Sequence, residues 1–191
     1  SYRDMIKNCL QPLFIFMLLC MMFTAATELG TTQRIEVLLG KSLESPILIL
    51  VFINGLMALG RLYAGPIVHK LSITKVLLFS AIFSCLGLFL LANTSGAMTF
   101  LAAAVFAIGV CYFWPTMLSF VSEKIPESGA LGLSLMGGAG MLSVSFVLPQ
   151  MGKLMDSNTT GSELLLLYAY IPAILIVAFL ILHIYVKTKK I

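Results

Sequence analysis

Long apolar runs, almost free of charge, are what most restrict this chain. The stretch from Leu164 to Val186 holds no carboxylate, lysine or arginine, and neither does the stretch from Ala97 to Val121. Across all 191 residues, 60% are hydrophobic and 10% are charged. Soluble globular domains carry roughly 25% charged residues, so eight acids and twelve lysines or arginines cannot cover a water-exposed surface of this size. That excludes a water-soluble monomer, a disordered chain and most cytosolic enzyme folds. A membrane helix needs about 20 apolar residues, and six of them use about 120. A β-barrel would instead alternate apolar and polar residues in segments of about ten. The expected fold class is an all-α membrane protein of six transmembrane helices forming one domain, with spans at roughly 12–33, 46–68, 73–92, 97–121, 129–153 and 164–186. Pro12 suits a helix start, and turn chemistry fills the connections at Asn93–Gly96, Pro126–Gly129 and Asp156–Gly161.

The net charge of +4 is too small, and too free of basic clusters, to imply nucleic acid. Cys9, Cys20, Cys85 and Cys111 form no CxxC pair and read as small hydrophobes. Placing the N-terminus inside puts Arg3, Lys7, Arg61, Lys70, Lys75, Lys124, Lys187, Lys189 and Lys190 on the inner side, against Arg34, Lys41 and Lys153 outside. By the positive-inside rule both ends are expected to face the cytoplasm. Spans one to three and four to six start at similar spacings, which suggests a three-plus-three inverted repeat. In it, Gly65-Pro66 in the second span would answer Pro149 with Gly152 in the fifth. The chain starts at Ser1 rather than Met and shows no clear signal-peptide cleavage site, so a fragment of a longer protein is expected.

Glu28 is the acid most in need of explanation. It lies 16 residues past Pro12, about 24 Å along a helix, which reads as the outer part of the bilayer. Thr24, Thr27 and Thr31 share its helix face by their spacing. A carboxylate there costs several kcal/mol unless it is paired, protonated or in a water-filled cavity. It is read as a substrate hydrogen-bonder or proton site, against an interfacial glutamate that caps or snorkels. Asn54 either lines a polar cavity or bonds a neighbouring helix. Gly65-Pro66 with His69 and Lys70 reads as a short basic inner loop, with Arg61 about one turn above it, able to pair with a carboxylate or to snorkel. Trp114, the only tryptophan, precedes Pro115, which frees the carbonyl of Cys111 and favours a kink. A ring beside a kink suits sugar stacking or a gate; an interfacial belt is the alternative. The small residues Ala130, Ser134 and Gly138 at i+4 steps, with Gly137, Ala139, Gly140, Ser143 and Ser145, suit close helix packing. Gln150 is a candidate cavity group, and His183 reads as interfacial. There is no Walker motif, HExxH or clustered metal-ligand set, so no enzyme activity, cofactor or metal is expected. The Gly-x-Ser-Gly of intramembrane serine proteases fails at Leu135. Sequons at Asn93 and Asn158 lie on expected outer loops and would matter only in a secretory pathway.

Four motifs bring a family into view. The segment Gly65-Pro-Ile-Val-His69-Lys70-Leu-Ser72 resembles the Gly-x-Leu-Ala-Asp-Arg-x-Gly-Arg loop of major facilitator superfamily transporters, with His69 at the Asp position and Ile73 at a basic one. Thr27–Gln33, Phe113–Thr116 with Glu123-x-x-Pro126-x-x-Gly129-Ala130, and Gly152–Asp156 are similar to the last six helices of fucose-permease-like bacterial sugar transporters. Arg34 stands where an aromatic residue is the family's habit. The resemblance implies the C-terminal six-helix half of a secondary transporter in a bacterial inner membrane, partnered by an N-terminal six-helix half. It would move a small solute, a sugar, with a proton by alternating access. The implied substrate-binding or proton-coupling residues are Glu28, Gln33, Asn54, Trp114 and Gln150; Gly65, His69 and Lys70 are the implied cytoplasmic gating loop. The competing reading is a non-transporting membrane sensor or scaffold of the same fold.

Overall fold

A computed structural model describes residues 2–40, 45–156 and 159–189, leaving aside the side chains of Val68, His69 and Asp156. Among the described residues the chain is helical, with no strand. The helices are α1 (Tyr2–Cys9), α2 (Pro12–Ala25), α3 (Ile35–Leu39), α4 (Pro46–Leu62), α5 (Ala64–Leu71), α6 (Ile73–Asn93), α7 (Met98–Val110), α8 (Phe113–Lys124), α9 (Gly129–Asp156) and α10 (Gly161–Lys189). A π-helical segment, Ala26–Gly30, continues α2, and a 3₁₀ turn, Pro126–Ser128, precedes α9. Five stretches are long and apolar enough to cross a membrane: Pro12–Gly30, Ile73–Asn93, Met98–Lys124, Pro126–Met155 and Gly161–Lys189. This is the body of a membrane-embedded protein. Its outer faces carry large apolar side chains such as Phe146, Leu101 and Ile181, which only a lipid solvent tolerates in this number.

Proline chemistry decides where helices start and break. Pro12 and Pro46 open α2 and α4, where a missing N–H costs nothing. The second span departs from a single helix over 46–68. It is interrupted at Tyr63 (φ −100°, ψ 4°), leaving α4 with 17 residues. Pro66 is the cause. It has no N–H for the Leu62 carbonyl and its ring crowds that oxygen, so the break falls upstream of the Gly-Pro pair. The chain then recovers at once: Ile67 N–H bonds the Tyr63 carbonyl at 3.2 Å. The expected inner loop is therefore a short helix, α5, with Gly65 and Lys70 exposed on it. The side chain of His69 lies outside the described residues. In the fifth span the counterpart proline does not break the helix: α9 runs through Pro149.

The core is a single apolar body. It joins Phe14, Met17 and Met21 of α2 to Phe106 of α7, Phe113 and Phe120 of α8, and Phe179 of α10. α6 packs along both α7 and α10, α2 lies along α9, and α4 leans on α7 and α3. The α6–α7 contact is close because glycines sit in it. A Cβ on Gly87 would come within 2.6 Å of Phe106 Cβ, and one on Gly109 within 2.6 Å of Ser84 Oγ. α9 uses its small residues differently from the expected stripe. Ser134 and Gly138 are exposed, with no atom within 4 Å of a Cβ on Gly138. The close approaches come from the opposite face, at Gly132 against Phe14 and at Gly140 against Trp114. Ser143 donates to the Met22 carbonyl at 2.7 Å on that same side. Both faces of α9 carry small residues, and the packed one is the face that also supplies apolar contacts such as Met136.

Candidate functional site

Glu28 sits in the π-helical segment and is 3% exposed. A π turn inserts an extra residue and rotates the side chains after it. Here it carries Glu28 into the bundle, where the π-helical segment packs on α9 and α10. The threonine stripe around it is buried rather than facing an open cavity. Thr24 and Thr27 donate back to the Met21 and Phe23 carbonyls at 2.9 Å each, and Thr32 donates to the Glu28 carbonyl at 2.8 Å. The Thr31 hydroxyl and Glu28 Oε2 are buried and, among the described residues, have no hydrogen-bond partner.

The other carboxylate oxygen is paired. Arg61 Nη2 donates to Glu28 Oε1 at 2.8 Å. Arg61 Nε donates to the Cys111 carbonyl at 3.2 Å. That carbonyl is free because Pro115, four residues on, has no N–H to offer it. The fourth span is interrupted here as the expected kink would have it: α7 ends at Val110, a turn covers Cys111 and Tyr112, both still in right-handed helical conformation, and α8 begins at Phe113. One guanidinium thus bridges an acid on the first span and an orphaned carbonyl on the fourth. This bidentate use suits arginine and not lysine.

The bridge also fixes the depth of the site. Cys111 is the fourteenth of the 27 residues of Met98–Lys124, a stretch about 40 Å long. Glu28 and Arg61 therefore meet near the midpoint of the bundle. Arg61 has α5, another helical stretch, between itself and Ser72.

Trp114 stands one turn from the pair. A Cβ placed on Gly140 would lie 2.9 Å from Trp114 Cη2 and 3.4 Å from Ala25 Cβ. Gly140 and Ala25 therefore form a flat seat for the half-buried indole. Ala25 precedes Glu28 by three residues, and Trp114 follows Cys111 by three. The structure thus gathers Glu28, Arg61, the Cys111 carbonyl and Trp114 at one level. The other candidates make no side-chain hydrogen bond to this group. Asn54 is exposed and donates to the Leu50 carbonyl of its own helix at 2.9 Å, so it bonds no neighbouring helix. Gln33 is exposed in the turn after the π segment, and Gln150 is exposed beyond Pro149.

Of the two roles expected for Arg61, pairing with a carboxylate and snorkelling, the structure shows the pairing, and it supplies the identity of the partner, Glu28; the carbonyl freed by Pro115 was also legible. Elsewhere, Thr74 Oγ1 and His183 Nδ1 are 2.8 Å apart, tying α6 to α10. Asn8 Nδ2 donates to Glu127 Oε2 at 3.0 Å, tying α1 to the 3₁₀ turn. Asn93 is exposed and bonds the Phe89 carbonyl, whereas Asn158 and Lys41 lie outside the described residues. No three His, Cys, Asp or Glu side chains converge among the described residues, and the four cysteines are unbridged. Comparison with family models, curated proteins and solved structures returned no match.

Proposed function

We propose that this chain is a six-helix half of a proton-coupled secondary transporter of the major facilitator kind, moving a small polar solute, a sugar, across a bacterial inner membrane. In this reading the six spans form a three-plus-three inverted repeat with both ends cytoplasmic, and transport proceeds by alternating access between two such halves. The observation that carries it is the Glu28–Arg61–Cys111 bridge at mid-depth. Ionisable residues inside membrane helices are costly and are retained mainly along substrate or proton pathways. Broken helices with free carbonyls are tolerated at that depth where they line such a path. Both features meet here, beside the single tryptophan.

Glu28 acts as the proton carrier in this mechanism, and Arg61 holds it while it is charged. Trp114 offers a flat apolar face for a sugar ring, positioned by Gly140 and Ala25. The interruption at Tyr63 and the α5 segment with Gly65, His69 and Lys70 form the inner gate. Gln33, Asn54 and Gln150 are exposed polar groups available to a solute between the halves. The protein reconstituted in proteoliposomes is expected to accumulate a sugar when the outside is made acidic. Glu28→Gln is expected to abolish accumulation. Uptake of every sugar tested that is independent of a proton gradient, or its absence in the wild type, contradicts the proposal. Total absence favours the sensor or scaffold reading.

A further inference from the structure

The central pair constrains the charge of what it can bind. Glu28 and Arg61 are the charged residues that meet at mid-depth. The other charged groups of the described long helices sit near helix ends, as do Lys75, Glu123, Lys153 and Lys187. The groups surrounding Glu28 from its neighbours are Arg61 of α4, the Cys111 thiol and Tyr112 hydroxyl at the α7–α8 turn, and Tyr168 of α10 against Gly30. Thiols and phenols are uncharged at neutral pH, and the facing part of α9 offers glycine, apolar residues and the uncharged Ser143 hydroxyl, which donates to the Met22 carbonyl. Among the described residues, Arg61 is therefore the sole counter-charge of Glu28, and Glu28 that of Arg61.

The pair is also asymmetric. The Glu28 side chain is 4% exposed and that of Arg61 is 42% exposed. Arg61 Nη1 makes no hydrogen bond among the described residues, so a solute reaching the site meets the guanidinium first. If Glu28 takes a proton, Arg61 is left with an uncompensated positive charge in a low-dielectric interior. A neutral sugar leaves that charge in place. A carboxylate cancels it, and arginine presents the planar fork that carboxylates fit.

Resting on the transporter reading above, we infer that the solute is a sugar acid, whose carboxylate replaces Glu28 on Arg61 as Glu28 takes up a proton. One proton from water bonds to a Glu28 carboxylate oxygen, the Glu28–Arg61 ion pair separates, and the solute carboxylate pairs with Arg61. Release reverses each step. One RCOO⁻ and one H⁺ cross together, so the loaded and empty sites are both neutral and transport moves no net charge.

The test uses the full chain in proteoliposomes, with a hexuronate and the corresponding neutral hexose as probes. The expected result is hexuronate uptake driven by a pH gradient and unchanged, within twofold, by a potassium diffusion potential of either sign. Hexuronate is also expected to change Trp114 fluorescence. Binding should weaken at least tenfold in Glu28→Gln/Arg61→Gln, a charge-free pair that keeps the fold, and only severalfold in Glu28→Gln/Arg61→Lys. Uptake of the neutral hexose alone, accelerated by an inside-negative potential, overturns the inference while leaving the transporter reading intact. Equal hexuronate binding by the Gln/Gln and Gln/Lys variants overturns it as well. No pH-driven uptake of either probe overturns both.

Discussion

Replacing Arg61 by methionine removes the guanidinium while keeping much of the apolar stem. Two partners lose a donor: Glu28 Oε1, 2.8 Å away, and the Cys111 carbonyl, 3.2 Å away. Breaking a fully buried ion pair by removing one partner costs about 3–5 kcal/mol, because the remaining charge stays buried. Glu28 meets that condition at 4% side-chain exposure, but Arg61, at 42%, is partly in water already and its attraction is screened. A loss of about 2–3 kcal/mol is therefore expected. Both bonds have an ionised donor and would sum to roughly 3–6 kcal/mol if fully buried, a figure that the partial exposure of Arg61 lowers toward the same range. At roughly 2–4 °C per kcal/mol for a chain of this size, the detergent-solubilised protein should melt about 5–10 °C lower. Adding Glu28→Gln should restore most of that loss, since no charge is then stranded. The double-mutant cycle is expected to show a coupling of at least about 1.5 kcal/mol. Additive losses, within about 0.5 kcal/mol, would refute the idea that the two side chains hold each other at the bundle centre.

Other expectations follow from the backbone. Ser72 adopts φ 64°, ψ 144°, a region nearly reserved for glycine, so Ser72→Gly should stabilise by about 1 kcal/mol; a lower melting temperature would contradict that strain. Gly87→Ala would press a methyl into Phe106 of α7, and overpacking of this kind costs about 1–3 kcal/mol, read as a lowered melting temperature. Gly140→Val should lift the Trp114 ring from its seat and shift the emission of the only tryptophan; an unchanged spectrum would mean the indole sits elsewhere.

How far the sequence carried these conclusions differs from residue to residue. The helical membrane body follows directly from the apolar runs, because nothing else tolerates Leu164–Val186. Glu28 was legible as an acid within the first span from its spacing from Pro12, with burial and an interfacial, snorkelling position both open; the structure shows it buried. That Arg61 could pair with a carboxylate was legible, but not that the carboxylate is Glu28, since contact between α4 and the π segment depends on relative helix depth, which apolar runs leave loose. The π turn itself has no sequence signature. The break at Tyr63 was displaced from the Gly65-Pro66 signal because a proline disturbs the carbonyl four residues upstream. Pro149, in the same chemical position within its helix, left α9 continuous. The small residues of α9 were legible as a packing set but not as to face: they occur on both, and only packing distinguishes Gly140 from Gly138.

The claim at the centre of this account is that Glu28 carries the proton that accompanies the solute. It is tested most directly by trapping a pH-sensitive dye inside proteoliposomes and adding solute outside with no imposed gradient. The account predicts an internal acidification that follows solute uptake in the wild type and is lost in Glu28→Gln. Acidification of equal rate and extent in Glu28→Gln would contradict it.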